Sequence, residues 1–265
     1  GDGYELVDSI NKEEFAKIYQ DYGLQESIEK DDTSLSYLYR ARKDFFILML
    51  DSNSHGTNEI SDQTFSWIEE ILKDAKEQDI QVLAVSHQNL LAHNPYFTEG
   101  FLIHRAQELE ALYEKYDVMA NLSGHIHIQH IEDSGLPEIL TSALPVSPHH
   151  YGILEFDGKT LDYQAKILDV ASWAREQGLI DQNLLDFSQA SRAFIEQVSA
   201  RKLESELLDS QLTSLERELL LQTFAQINAD YFAGRQIDPA NHQQGLSLMQ
   251  ETGLSFYPTY IDSIL

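Results

Sequence analysis

Apolar positions along the chain keep two rhythms, and the change between them falls near residue 169. Before it, short apolar runs alternate with stretches of three- and four-residue spacing; after it only the helical spacing continues. In residues 11–22, Phe15, Ile18, Tyr19 and Tyr22 recur at helical spacing, which predicts a short helix. Residues 34–40 alternate and are separated by Lys43-Asp44 from the run Phe45-Phe46-Ile47-Leu48-Met49-Leu50. That pattern predicts adjacent strands, the second covered on both faces. Ser61 is placed to cap a helix over 61–78 that carries Phe65, Trp67, Ile68, Ile71 and Leu72. A strand over 81–85, a helix over 102–115 and a strand over 118–122 repeat the strand, helix, strand order of an α/β sheet. Further strands are expected at 138–141, 151–156 and 163–167, with Asp157-Gly158 turning between the last two.

Beyond residue 169, Leu203, Leu207, Leu208, Leu212, Leu215, Leu219, Leu220, Phe224, Ile227 and Tyr231 form one amphipathic stripe of about eight turns. A strict heptad fails along it, and no repeat marks a solenoid. The expected organisation is therefore an α/β part, residues 1–168, followed by an α-helical subdomain, residues 169–265.

Charge and composition narrow the function classes. Eighteen Lys and Arg stand against 44 Asp and Glu, a formal charge of −26 and a pI near 4.5, so a basic nucleic-acid-binding face is not expected. A small phosphate ester stays admissible where cations neutralise its site. The absence of cysteine removes disulfides, thiolate metal sites and thiol nucleophiles. Any metal would be held by His, Asp, Glu or Asn. No apolar run approaches the length of a membrane span.

Two local signals carry chemistry. Gly124-His125-Ile126-His127 follows the strand over 118–122, and Ser86-His87-Gln88 follows the strand over 81–85. Ligands of open α/β sheets bind where strands end. Neutral imidazoles suit zinc, iron or manganese, and in an extended segment His125 and His127 would point to one side. His130 reads as solvated or as a supporting residue, Asp51 as a loop cap, His93 as a loop residue and His149-His150 as a solvated pair. No G-x-S-x-G elbow, Walker A or dinucleotide fingerprint occurs.

The ordered pair VLAVSHQ and NLSGHIHIQH, preceded by LDSNSHG and ISDQTFSWIEEIL, resembles the C-terminal metal-binding half of the calcineurin-like metallophosphoesterases. The likeness extends over residues 35–168 and is strongest to exported bacterial, cyclic-nucleotide phosphodiesterase-like members with a helical C-terminal region. It implies a partial αββα sandwich and two divalent transition-metal ions, Mn, Fe or Zn. His87 and His125 would share one ion and His127 would bind the other. It implies hydrolysis of small phosphodiesters or nucleotides, and an extracytoplasmic or cell-envelope location. The family's Asp-x-His, Gly-Asp-x-x-Asp and Gly-Asn-His motifs have no counterpart, and Gly1-Asp2-Gly3 is a poor stand-in. The expectation is thus a C-terminal portion of a longer protein, inactive alone, its catalytic histidine lying in the missing segment. A non-catalytic interaction or regulatory module with a helical tail is the alternative.

Overall fold

A computed structural model describes residues 9–208 and 210–265; the Gly1-Asp2-Gly3 expectation lies outside them. Helix α1 (Lys12–Ile18) opens on a reciprocal cap between Asn11 and Glu14 and stops short of the predicted 22. Seven strands follow: β1 (Ser27–Lys30), β2 (Tyr37–Arg42), β3 (Phe45–Met49), β4 (Gln81–Val85), β5 (Asn121–Ser123), β6 (His130–Asp133) and β7 (Pro137–Leu140). They form one mixed sheet in the order β1-β2-β3-β4-β5-β7-β6. β1 and β2 were not both expected: the alternation over 34–40 belongs partly to a turn, where Ser34 Oγ donates to Asp31 and Ser36 Oγ receives the Asp51 N–H at 2.9 Å.

The centre of the sheet follows the apolar pattern. β3 pairs in parallel with β4, and β4 with β5. These parallel links need crossovers, supplied by α2 (Asp62–Glu77) and α3 (Ala106–Lys115). Ser61 caps α2 as expected, its side chain accepting the Thr64 N–H at 3.0 Å. Leu48, Ile68, Leu72, Leu109, Tyr113 and Leu136 are all but fully buried in one core, each apolar side chain contributing roughly 1.5–3 kcal/mol of transfer free energy. α3 begins later than residue 102 because Asn89 and Leu102 bridge in parallel there, the Ile103 N–H bonding the Asn89 carbonyl at 2.9 Å.

β8 (His150–Phe156) and β9 (Leu161–Ile167) make a separate antiparallel hairpin. After Asp169, which caps α4 (Val170–Glu176) through the Ser172 N–H, come α5 (Gln182–Leu185), α6 (Phe187–Glu206), α7 (Ser214–Phe232), α8 (Gln243–Glu251) and α9 (Phe256–Asp262). The fold is thus a mixed sheet flanked by helices, followed by a largely helical C-terminal region. The leucine stripe does not lie on one helix. Thr213 and Glu216 form a reciprocal cap that starts α7 afresh, while Leu203 and Leu207 from one side of the break and Leu220, Phe224 and Ile227 from the other share a buried cluster. Burial is kept by these five residues but not by Leu208 and Leu215, which stand 74% and 76% exposed at the break, and the helix is not continuous.

The chain forms two compact units. One runs up to Leu91 and adds Gly100–Ser123 and Asp133–Glu138; the other comprises Ala92–Glu99, Gly124–Glu132 and Ile139–Leu265. Among the described residues no helix is long and apolar enough to cross a membrane.

Candidate metal centre

β4 delivers His87. The strand is covered through Val82, Leu83 and Ala84, and Ser86 is buried beside its end. Ser86 Oγ donates to the Gln88 carbonyl at 2.8 Å and accepts from Asn121 Nδ2 at 3.1 Å. Gln88 is itself buried, its side-chain carbonyl receiving the Ser52 hydroxyl and Asn53 Nδ2. Between these two buried neighbours His87 is exposed.

The loop is held further along by Glu138, whose exposure is 0%. Its carboxylate accepts the Leu90 N–H at 2.8 and 3.0 Å, the Leu91 N–H at 2.5 Å and Asn121 Nδ2 at 2.7 Å. Several directed donors are what makes a buried carboxylate tolerable. Burial, together with the nearby Glu138 charge, pushes the Tyr113 hydroxyl far above the usual phenol range. The sequence pattern marks Glu138 only as the start of the strand expected at 138–141. A charged residue inside the apolar run Pro137-Glu138-Ile139-Leu140 was the available signal.

β5 delivers the other two imidazoles, but not on an extended segment. His125 and His127 have φ of 66° and 62°, the left-handed region, and the Ile126 N–H bonds the Gly124 carbonyl at 2.8 Å. The expectation that the period of a strand aligns the two rings is therefore corrected: the strand ends at Ser123 and the motif is a tight turn. Left-handed backbone costs a non-glycine residue roughly 1–2 kcal/mol, and such cost gathers at functional sites. The turn is anchored on its far side by buried Ile128 and by Gln129, whose N–H bonds the Phe232 carbonyl at 3.2 Å and whose Oε1 accepts from Tyr163 Oη at 3.0 Å.

The other candidate histidines have polar partners. Of the two readings of His130 the solvated one is corrected and the supporting one stands: its Nδ1 lies 2.9 Å from Nδ1 of buried His93, and burial with the His93 neighbour lowers its pKa. His150 is buried against Ser142 Oγ at 3.1 Å. His149 bonds Leu144 and Ser191. Asp51 caps its loop as expected, accepting the Leu35 and Asn53 N–H groups at 3.0 and 2.9 Å.

His87 thus sits in the unit that contains β4, and His125 and His127 in the unit that contains Gly124–Glu132. Among the described residues no group of three or more His, Asp or Glu side chains could hold a metal ion. Three imidazoles without a bridging carboxylate do not fit a two-ion centre, and no reaction step follows from this donor set alone.

Residues 169–265 match the family described as the C-terminal domain of cyclic nucleotide phosphodiesterase. The phosphoesterase likeness read from His87 and the Gly-His-x-His turn is thereby supported by a part of the chain that contains neither. Solved structures similar to the chain include a dimetal phosphatase from Danio rerio, at 13% identity over 51% of this chain and 59% of that one, with a TM-score of 0.44. They also include a candidate 5′-nucleotidase from Staphylococcus aureus in complex with alpha-ketoglutarate, at 13% identity over 64% of this chain and 36% of that one, TM-score 0.31. The chain therefore spans less than two thirds of the length of either. No curated protein matches its sequence.

Proposed function

We propose that the chain is part of a metal-dependent phosphoester hydrolase acting on small phosphodiesters or nucleotides. One observation supports this above the rest: neighbouring parallel strands β4 and β5 each run out into a loop bearing imidazole, His87 after the first and His125 and His127 after the second. The match of residues 169–265 to a domain of cyclic nucleotide phosphodiesterases favours the diester class. In this reading His87 and His125 serve one ion and His127 a second, with carboxylate and asparagine donors supplied by a longer protein. Two such ions would furnish a hydroxide and neutralise the phosphoryl oxygens. This chain's contribution is positional: Glu138 and Ser86 hold the His87 loop, and the left-handed turn presents His125 and His127. The excess of acidic residues favours a small substrate over a polyanion, and the likeness to exported members favours an extracytoplasmic or cell-envelope location.

The test is manganese titration with turnover of bis(p-nitrophenyl) phosphate by this chain, by a longer protein carrying the additional donors, and by that protein with His125→Asn. The longer protein is expected to show metal-dependent turnover, the 265-residue chain none, and the variant a loss of at least about 100-fold, the scale of a lost positioned group. Metal-dependent turnover by the chain alone rejects the need for donors from a longer protein, and an active variant rejects the ligand role of His125. The second reading, a non-catalytic interaction module, is favoured by the lack of a three-residue metal group among the described residues; a metal-free, inactive longer protein would establish it.

A further inference from the structure

The second compact unit holds a hydrogen-bonded serine–histidine pair, Ser191 and His149, outside the residues assigned to the phosphoesterase reading. His149 Nδ1 lies 2.8 Å from the Leu144 carbonyl oxygen. A carbonyl only accepts, so in the neutral ring Nδ1 carries the proton and Nε2 is the free base. Nε2 lies 2.5 Å from Ser191 Oγ. Serine donating to Nε2 while the other nitrogen is fixed by a third group is the relation that activates a hydroxyl for attack. Here a main-chain carbonyl takes the orienting place.

Three further observations set this pair apart from an ordinary hydrogen bond. Both residues line a cleft of about 640 Å³ whose other walls include Val146, Leu184, Phe187 and Phe194. Phe194 stands 67% exposed at that cleft, and the Phe187 ring lies 4.7 Å from the His149 ring, centroid to centroid. His149 is held at φ 65°, a left-handed conformation for a residue with a Cβ. Ser191 stands in the second turn of α6, whose N-terminus has no side-chain cap. Ser191 is only half-buried there, so its hydroxyl is reachable from the cleft it lines.

We propose that Ser191 and His149 form a serine–histidine nucleophile site for uncharged carboxylic esters with an apolar acyl group. Ser191 Oγ bonds to the acyl carbon as its proton passes to His149 Nε2. The ester C–O bond then breaks and the leaving alcohol takes that proton. Water, deprotonated by the same nitrogen, releases the acid and restores the serine. The apolar walls suit the acyl chain, and no metal enters, so the site stands apart from the phosphoesterase reading.

The test uses the full chain in excess EDTA, with p-nitrophenyl butyrate as substrate and diisopropyl fluorophosphate as label, the adduct mapped by peptide mass spectrometry. One equivalent of label is expected on Ser191, with butyrate turnover lost in Ser191→Ala. His149→Asn removes the base but accepts left-handed backbone, and should slow labelling at least about 100-fold with its urea midpoint close to that of the unmodified chain. Absence of an adduct on Ser191, labelling of another serine, or a rate that His149→Asn leaves unchanged overturns the proposal. Ser191→Ala, a small change on a half-buried helical position, keeps the test valid if His149→Asn does not fold.

Discussion

Gly234 lies so close to Gln129 that a Cβ added to it would stand 2.2 Å from the Gln129 carbonyl oxygen. Its φ of 63° is also one that side chains resist. Gly234 follows Ala233, the C-cap of α7, and Gln129 closes the segment bearing His125 and His127, so the end of one helix fixes how far that turn can move.

Gly234→Ala should accordingly be severe. The backbone oxygen cannot swing away as a flexible side chain would, and left-handed strain adds to the clash. A loss of about 2–4 kcal/mol in unfolding free energy is expected, within the range of backbone-conflict substitutions. Urea denaturation measures it; a change below about 0.5 kcal/mol would mean that the turn yields freely.

Glu138→Leu removes the acceptor for two backbone N–H groups and for Asn121 Nδ2. Buried donors left without partners cost about 1–3 kcal/mol each when they stay dry, so a total loss of about 3 kcal/mol is expected. Faster hydrogen exchange at Leu90 and Leu91 than elsewhere in the core would locate the damage in the His87 loop.

Ser61→Ala tests a shorter-range device. Its side chain satisfies the Thr64 N–H at the start of α2, and loss of such a cap costs about 1 kcal/mol. Ser61→Asp should retain most of the stability, since aspartate caps equally well; equal losses in both variants would assign the effect to packing instead.

Acid should weaken the fold in two stages. His130 and His150 titrate below 6.5 when folded: burial is the leading cause for both, joined by His93 for the first and by Arg235 and His149 for the second, while Glu132 opposes the shift at His130. Between the depressed folded value and 6.5 the unfolded chain binds more protons, so stability is full above 6.5 and declines as pH falls through that window. The second stage lies below about 4, where Asp31, held low by Ser34, Thr64 and Thr33 against the effect of burial, and Asp230, held low by Arg192 and Arg235, become protonated. Unfolding free energy measured from pH 8 to 5 should flatten in His130→Gln; an unchanged slope would contradict the assignment.

Much of the frame was legible because its causes are local. A six-residue apolar run makes β3, Ser61 before an amphipathic stretch makes the start of α2, and the apolar residues of β4 place His87 at a strand end. The features that shape the site depend on residues far apart in the chain. Glu138 answers donors 47 and 48 positions away, His130 meets His93 across 37 and His149 meets Ser191 across 42. The left-handed turn at His125 and His127 was missed for a different reason. Both residues are ordinary in a strand by type, and only the early end of β5 and the anchoring of Ile128 and Gln129 force the chain to turn. The break in the leucine stripe was visible in principle, since Thr213 and Glu216 have the spacing of a reciprocal cap.

The clamp formed by Glu138 also imposes an order on synthesis. Leu90 leaves the ribosome 48 residues ahead of the side chain that will hold it. At a synthesis rate of roughly 5–20 residues per second, the His87 loop waits about 2–10 s before its last partner exists. Throughout that interval the Leu90 and Leu91 amides lack their carboxylate, and a nascent chain halted before β7 would bear His87 on a loop without that clamp.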